Sequence, residues 1–229
     1  MAKKLKGVIF DLDGIITDTA KYHYLAWKAI IKPFGMNLTI DINEEIKGLS
    51  RKDTLLKILE IFNYSKLDTQ KIDELCFEKN ELYKKLITNL SPQDILPGIE
   101  DFIKQIKEAN LKMAISSSSK NAANIMELLK LKDKFDFFVN PATIINGKPH
   151  PDIYLAGVKG LNLLAEECIG LEDASVGIEG LNAGNIFSVG INAHDEYVKK
   201  FSRYYLTKTE LLDLEKIYQA FSGNQTAKN

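Results

Sequence analysis

Two aspartates stand two residues apart, directly after a short apolar stretch near the start of the chain. The apolar residues 5–10 predict a buried parallel strand, and Asp11, Asp13 and Gly14 follow them. Side chains two residues apart point to the same side of an extended segment, so both carboxylates face one crevice at the carboxyl end of the strand. Neighbouring carboxylates repel each other, which suits a bound cation or a divided acid/base role. The alternative is an aspartate-rich turn without chemistry.

A run of four serines ends the next predicted strand, which covers residues 111–115. The hydroxyl of Ser117 and the free N–H groups of a turn before a helix make a natural seat for a phosphate group. A plain loop is the alternative, because serine is abundant in turns. The candidate phosphate contacts in this segment are Ser117, Ser118, Ser119, Lys120 and Asn121.

Charged residues occur at two further places later in the chain. Lys148 stands between a glycine and two nearby prolines, where it offers a phosphate a point charge; the alternative is an ordinary solvated lysine. Glu172 and Asp173 follow an apolar segment, 168–171, that predicts a strand. Hard carboxylate oxygens of this kind suit Mg²⁺. An acidic helix start is the alternative reading of that pair.

These positions occur in the order that is found in the haloacid dehalogenase superfamily of aspartate-nucleophile phosphotransferases, and the resemblance spans nearly the whole chain. It implies that Asp11 attacks phosphorus and that Asp13 is the general acid/base. It also implies that Ser117 and Lys148 hold the transferred phosphoryl group. The Mg²⁺ ligands that it implies are Asp11, Asp13 (through its backbone carbonyl), Glu172 and Asp173.

The order of predicted elements indicates an α/β fold. Strands at 5–10, 111–115, 135–139, 168–171, 186–189 and 204–206 alternate with helices, which predicts a Rossmann-like, doubly wound parallel sheet. Helices are predicted over 20–33, 43–47, 51–62 and 69–90, with no strand between them, and a last helix is predicted over 210–220. An all-helical insert after the first strand resembles the four-helix cap of the superfamily. We therefore expect a core domain formed by 1–16 and 93–229 and a cap domain formed by 17–92, with hinges near Thr17 and Pro92.

Three stretches of the expected cap resemble the β-phosphoglucomutases in particular. They are T-A-K-Y-H-Y-L-A-W at 19–27, I-K-G-L-S-R at 46–51 and E-K-N at 78–80. The resemblance implies that Thr19 and His23 belong with the catalytic residues, His23 linking cap position to Asp13 and titrating near neutrality. Arg51 has a planar fork suited to a distal phosphate. The implied substrate contacts in the cap are Trp27, Lys47, Gly48, Leu49, Ser50, Arg51, Thr54, Lys79 and Asn80. Taken alone, the histidine is more often a surface or capping residue, and the tryptophan is more often part of a core.

Composition restricts the kinds of partner. The 229 residues include 30 Lys and Arg against 31 Asp and Glu, a net charge of −1, which does not favour nucleic acid or an anionic membrane as a partner. We expect phosphorylated sugars as ligands and a monomeric protein. The two cysteines, Cys76 and Cys168, lack metal-ligand spacing and predict free thiols in a reducing cytoplasm.

Three functions fit this core. The first is an isomerase that converts β-glucose 1-phosphate to glucose 6-phosphate through β-glucose 1,6-bisphosphate, with an aspartyl phosphate on Asp11. The second is a small sugar-phosphate phosphatase, in which water is the final acceptor. The third is a non-enzymatic receiver that keeps the aspartyl phosphate as a signal. The helical insert argues against a receiver, which needs no lid, and the cap motifs favour the isomerase.

Overall fold

The computed structural model describes residues 4–46 and 48–226 and contains a six-stranded parallel sheet. Its strands are β1 (Gly7–Phe10), β2 (Lys112–Ile115), β3 (Phe137–Phe138), β4 (Cys168–Glu172), β5 (Phe187–Ile191) and β6 (Tyr204–Leu206). They lie in the order β3-β2-β1-β4-β5-β6, and every neighbouring pair is parallel. All six strands were predicted from the sequence, and the predicted fold class is confirmed.

The central position of β1 explains where the site lies. Phe10 pairs with Ile115 of β2 on one side and with Leu171 of β4 on the other. The residues that follow these three positions therefore emerge together at one edge of the sheet. This edge is the crevice in which α/β sheets of this strand order bind ligands.

The sheet is covered on both faces. The helices are α1 (Ala20–Ile31), α2 (Ile40–Glu45), α3 (Arg51–Ile61), α4 (Thr69–Leu86), α5 (Ile99–Glu108), α6 (Ala122–Leu128), α7 (Asp152–Gly160), α8 (Ser175–Ala183), α9 (Glu196–Phe201) and α10 (Leu214–Thr226). Val8 and Phe10 pack against α5, α6 and α10, whereas Ile9 packs against α7 and α8. Because successive strand residues point to opposite faces, this alternation is what a doubly wound sheet requires. No helix of the described residues combines the length and the apolar character that spanning a bilayer requires.

Helices α1 to α4 surround a hydrophobic cluster of their own, which includes Trp27, Leu55, Ile58 and Leu75. Two segments connect this helical insert to the sheet, and they run side by side. The Thr17 hydroxyl donates to the Asp94 carbonyl over 2.7 Å, and Leu96 N–H donates to the Ile16 carbonyl over 2.9 Å.

Two helix starts differ from the predictions, and side-chain capping explains both differences. The helix predicted over 43–47 is α2, which begins earlier because Thr39 accepts from the Ile42 N–H. The last helix begins later than predicted, at Leu214, because Asp213 accepts from the Lys216 N–H. Thr19 precedes α1 but makes no capping bond, and its hydroxyl donates to the Asp13 side chain.

Candidate active site

A cleft lies at the carboxyl ends of β1, β2 and β4, between the sheet and the helical insert. The space within it, open solvent included, is about 840 Å³. The residues that line it from the sheet side are Asp11, Asp13, Ser117, Ser118, Ser119, Lys148, Glu172, Asp173 and Ala174. Those from the helical insert are Ala20, His23, Trp27, Asn43, Ile46, Gly48, Leu49, Arg51, Thr54 and Lys79. Most of the candidate residues therefore meet in one place.

Lys148 joins two buried carboxylates at the base of the cleft. Its Nζ lies 2.9 Å from Asp11 Oδ1 and also donates to Glu172 Oε1. Burial raises the pKa of Asp11, and the Lys148 ammonium opposes that rise. Burial acts to lower the pKa of Lys148, but the carboxylates of Asp11 and Glu172 outweigh it and hold that pKa well above its usual value. Lys148 is therefore a fixed cation beside Asp11.

Glu172 is fully buried, and both of its carboxylate oxygens accept hydrogen bonds. The Tyr154 hydroxyl donates to Oε1 over 2.5 Å, beside Lys148. The backbone N–H groups of Asp173 and Ala174 donate to Oε2 over 3.1 and 3.3 Å. This network fixes the Glu172 carboxylate against β4 and sets the position of Lys148.

The acidic residues of the cleft fit a hard divalent cation. One carboxylate oxygen from each of Asp11, Glu172 and Asp173 lies within 4.8 Å of the others. Lys148 pairs with two of these three buried carboxylates, and clustered carboxylate oxygens suit a hard divalent cation. Gly14, with φ of +81°, turns the chain directly beside the Asp173 carboxylate, where a side chain would collide with it.

The serine segment after β2 presents hydroxyl groups to the cleft. Ser117 is buried, and its Oγ accepts from the Ser119 N–H over 3.1 Å, which leaves its own proton available for a ligand oxygen. Lys120 and Asn121 do not line this cavity. Lys120 is exposed and lines a neighbouring one, and the Asn121 amide donates to Asn80 Oδ1 over 2.9 Å.

Asp13 lies between Thr19 and His23. Thr19 donates to Asp13 Oδ1, and His23 Nε2 lies 3.8 Å from Asp13 Oδ2. His23 Nδ1 is 2.5 Å from Lys79 Nζ, so the neutral ring carries its proton on Nε2 if Lys79 donates. Burial, reinforced by Lys79 and Arg51, lowers the pKa of His23 well below its usual value. The expectation that His23 titrates near neutrality was therefore wrong, because nearby cations and burial both disfavour the imidazolium.

The helical insert contributes two cations to the cleft. Arg51 Nη2 donates to Asn80 Oδ1 over 2.7 Å, and burial lowers the pKa of Arg51 from its ordinary high value. Lys79 is almost fully buried, and its ammonium lies 5.1 Å from the centre of the Trp27 ring. Burial lowers the pKa of Lys79 to about 7. Both groups thus face the cavity with their charge poorly solvated, which favours an anionic ligand.

The remaining candidate residues of the insert do not all line the same cavity. Gly48, Leu49 and Thr54 line the cavity, whereas the Ser50 hydroxyl caps α3 by accepting from the Asp53 N–H, and Ser50 lines the neighbouring cavity. Lys47 lies outside the described residues. The insert and the sheet touch across the cleft, because the Ser118 hydroxyl donates to the Gly48 carbonyl over 3.4 Å.

Two tyrosines and an asparagine were missed by the sequence analysis. Tyr154 contacts Glu172, Tyr83 donates to Thr19 Oγ1 over 3.0 Å, and Asn43 lines the cavity. Tyr83 follows Lys79 by four residues on α4, so helical periodicity placed both on one face and was a usable signal. Tyr154 gave no such signal, since its partner Glu172 is distant in the sequence.

Comparisons with known proteins agree with this geometry. Residues 8–191 match the family of haloacid dehalogenase-like hydrolases. The chain is 42% identical over 189 residues to a β-phosphoglucomutase of Bacillus subtilis, covering 82% of this chain and 83% of that protein. It is 27% identical over 187 residues to a phosphorylated carbohydrates phosphatase of Thermotoga maritima, covering 80% and 82%.

A solved structure gives the same result. The crystal structure of a β-phosphoglucomutase from Clostridium difficile matches with a TM-score of 0.93 and 39% identity, over 97% of this chain and 99% of that one. The match extends over both the sheet and the helical insert, since it covers nearly all of both chains. The chain therefore belongs to the haloacid dehalogenase-like hydrolase family and, within it, to the β-phosphoglucomutases.

Proposed function

We propose that this phosphomutase interconverts β-D-glucose 1-phosphate and D-glucose 6-phosphate through an aspartyl phosphate on Asp11 and a β-glucose 1,6-bisphosphate. One observation carries the proposal beyond family membership. Lys148 and Ser117 line the cleft on the sheet side and Arg51 lines it on the other, so two groups of phosphate-binding side chains face one cavity. A bisphosphate intermediate needs two such seats, whereas hydrolysis of a monophosphate needs one.

The core and cap are proposed to divide this work. Residues 1–16 and 93–229 would form the core that carries out phosphoryl transfer, and residues 17–92 would form the cap that covers the substrate. The paired connections near Thr17 and Ile95 support hinges at these boundaries. Closure of such a cap excludes water and protects an aspartyl phosphate from hydrolysis.

Asp11 is the proposed nucleophile. A carboxylate oxygen of Asp11 attacks phosphorus, and the bond from phosphorus to the sugar oxygen breaks. Lys148, which already lies 2.9 Å from Asp11, holds the nucleophile and contacts the phosphoryl oxygens, while Ser117 donates its hydroxyl proton to them. Positioning and charge compensation of this kind supply most of the catalysis in phosphoryl transfer.

Asp11, Glu172, Asp173 and the backbone carbonyl of Asp13 are the proposed Mg²⁺ ligands. When bound, the ion would neutralise charge on the phosphoryl oxygens and reduce repulsion between them and Asp11. Glu172 also accepts from Lys148 through Oε1, so it would contribute both charge to the metal site and the position of Lys148.

Asp13 is the proposed general acid/base. It takes the proton from the attacking sugar hydroxyl and returns a proton to the departing sugar oxygen. The neutral His23 faces Asp13 Oδ2, and Thr19 holds Oδ1, so one oxygen is anchored while the other faces the reacting group. Arg51 would bind the phosphate at the far end of the sugar, with Lys79 and Asn80 beside it.

A second candidate function is that of a sugar phosphatase with the same core, and the relative from Thermotoga maritima favours it. The two functions differ in their product. Purified protein is supplied with β-glucose 1-phosphate, Mg²⁺ and a trace of the bisphosphate, and ³¹P NMR follows glucose 6-phosphate and inorganic phosphate. Glucose 6-phosphate as the main product supports the mutase, and inorganic phosphate as the main product replaces it with the phosphatase.

Two further properties are proposed for the same enzyme. The protein is proposed to act as a monomer. The free thiols of Cys76 and Cys168 support a reducing, cytoplasmic setting.

A further inference from the structure

Tyr83 contacts two residues that lie beside the carboxylate of Asp13. Its hydroxyl donates to Thr19 Oγ1 over 3.0 Å, and its ring lies 4.0 Å from the His23 ring, centre to centre. Thr19 in turn donates to Asp13 Oδ1, and His23 Nε2 lies 3.8 Å from Oδ2. One buried side chain of α4 therefore touches a neighbour of each Asp13 oxygen.

The hydrogen bonds in this group can run in only one direction. An ionised Asp13 only accepts, so the single hydroxyl proton of Thr19 is used toward Oδ1. Thr19 can then only accept from Tyr83, which must donate. Tyr83 is fully buried, and burial together with Asp13 raises its pKa, so the phenol keeps its proton and remains a donor.

This arrangement makes the two Asp13 oxygens different. Thr19 is fully buried and does not line the cavity, whereas His23 does. Oδ1 is thus held by the hydroxyl of a buried residue, and Oδ2 lies nearer to His23, which lines the cavity.

We infer that Tyr83 is a positioning residue of the phosphomutase, which fixes the Asp13 carboxylate through Thr19 and His23 so that Oδ2 exchanges protons with the sugar. The inference rests on the proposed function, because it assigns Asp13 the acid/base role. Tyr83 itself touches no reacting atom. Loss of its hydroxyl leaves Thr19 free to turn its proton away from Asp13, and the carboxylate then samples orientations that do not transfer a proton.

The test compares Tyr83→Phe, Thr19→Val and the double variant, with β-glucose 1-phosphate, Mg²⁺ and a trace of bisphosphate. The matched control is Tyr24→Phe, another tyrosine of the helical insert, whose hydroxyl donates to the Leu38 carbonyl over 3.2 Å. Total turnover, measured as glucose 6-phosphate plus inorganic phosphate, is the readout, because Asp13 serves both reactions.

Tyr83→Phe should lower kcat about tenfold, the effect of one lost hydrogen bond, and should leave KM within about twofold. The double variant should be no slower than Thr19→Val alone, because Tyr83 acts through Thr19. Tyr24→Phe should match the wild type. If Tyr83→Phe does not fold, the fallback comparison is between two variants of Thr19. Thr19→Ser should have a higher kcat than Thr19→Val, because only serine keeps a hydroxyl that accepts from Tyr83 and donates to Asp13.

Several results would overturn the inference. For Tyr83→Phe, they are an unchanged kcat or a change confined to KM. For the double variant, the contradicting result is a loss of kcat equal to the product of the two single losses. Equal kcat values for Thr19→Ser and Thr19→Val would also contradict the inference. A wild type that forms neither product refutes the proposed function instead. An active wild type whose kcat is insensitive to Tyr83→Phe refutes only the role of Tyr83.

Discussion

Lys148 Nζ lies 2.9 Å from Asp11 Oδ1 although the two residues are 137 positions apart in the sequence. Both side chains are buried, so neither charge is stabilised much by water. Removing one partner of such a pair leaves the other charge buried and uncompensated, which is strongly unfavourable. The ion pair therefore opposes the rise in the pKa of Asp11 that burial causes, and it favours the ionised form that a nucleophile requires.

Lys148→Met should consequently reduce turnover on the order of 10²–10³-fold, the scale of losing one preorganised charge from a transition state. Lys148→Arg should not restore it fully, because the larger planar group does not fit the seat of a compact ammonium. The measurement is kcat with saturating sugar phosphate. Lys159→Met, an exposed lysine in the last turn of α7, is the control. Near-normal turnover in Lys148→Met would contradict the assigned role.

The two aspartates of the first motif should differ in their variants. Asp11→Asn keeps the shape but removes the attacking oxygen's charge, and turnover should fall by several powers of ten. Asp13→Asn should still allow slow phosphoryl transfer and should cost on the order of 10²–10⁴-fold, since only proton transfer is impaired. Mass spectrometry of rapidly quenched Asp13→Asn should find the phosphoryl group on Asp11. A stable phosphoryl group on Asp13 in the wild type would reverse the two roles.

Metal dependence follows from the acidic residues of the cleft. Activity should vanish with excess chelator and return with Mg²⁺, because Asp11, Glu172 and Asp173 concentrate negative charge where a phosphoryl group must bind. Asp173→Ala should lower activity and raise the Mg²⁺ concentration required for half-maximal rate. A direct readout is calorimetric titration of Mg²⁺ into wild type and variant. Full activity in chelator would exclude the proposed phosphoryl-transfer site.

The buried ammonium of Lys79 should make stability depend on pH. Its pKa is lowered from 10.5 to about 7, so between these values the unfolded chain binds more protons than the folded one. The free energy of unfolding therefore increases as the pH rises across that interval. Below about pH 7 the destabilising contribution of Lys79 is fully present. Lys79→Met should remove this contribution, flattening the dependence between pH 7 and 9.

Urea unfolding of wild type and Lys79→Met at several pH values measures this effect. Lys84→Met, an exposed position in the last turns of the same helix, should retain the wild-type pH dependence. Parallel curves for wild type and Lys79→Met would show that Lys79 keeps its ordinary pKa in the folded protein.

The sheet and the residues at its edge were predictable because they rest on local signals. Apolar runs ending at Asp11, Ser116 and Glu172 marked three strands, and a parallel sheet must bring the ends of neighbouring strands together. What could not be read from the sequence was burial. The low pKa of His23 depends on Lys79, which is 56 residues away, and on the lack of water around both.

Contacts between distant hydroxyl groups were equally hidden. Thr19 precedes α1 but does not cap it, and its hydroxyl instead accepts from Tyr83 and donates to Asp13. Tyr154 and Tyr83 read as ordinary apolar positions of helices. Their hydroxyl groups acquire a role only because the fold places a carboxylate or a threonine beside them.

The central claim is that a second phosphate seat in the helical insert makes the enzyme a mutase. A bidentate contact between arginine and phosphate contributes roughly 1.5–3 kcal/mol, so Arg51→Ala should weaken isomerisation about 10–150-fold. Release of inorganic phosphate should fall less, because it needs only the seat formed by Ser117 and Lys148. Arg51→Lys should recover part of the loss, since a point charge lacks the planar fork. Lys52→Ala, an exposed neighbour that pairs with Asp73, is the matched control.

The decisive measurement is the ratio of glucose 6-phosphate to inorganic phosphate formed from β-glucose 1-phosphate by wild type, Arg51→Ala and Lys52→Ala. The account expects a high ratio for the wild type and Lys52→Ala and a much lower ratio for Arg51→Ala. A wild type that forms chiefly inorganic phosphate, or an Arg51→Ala variant that isomerises at the wild-type rate, would contradict it.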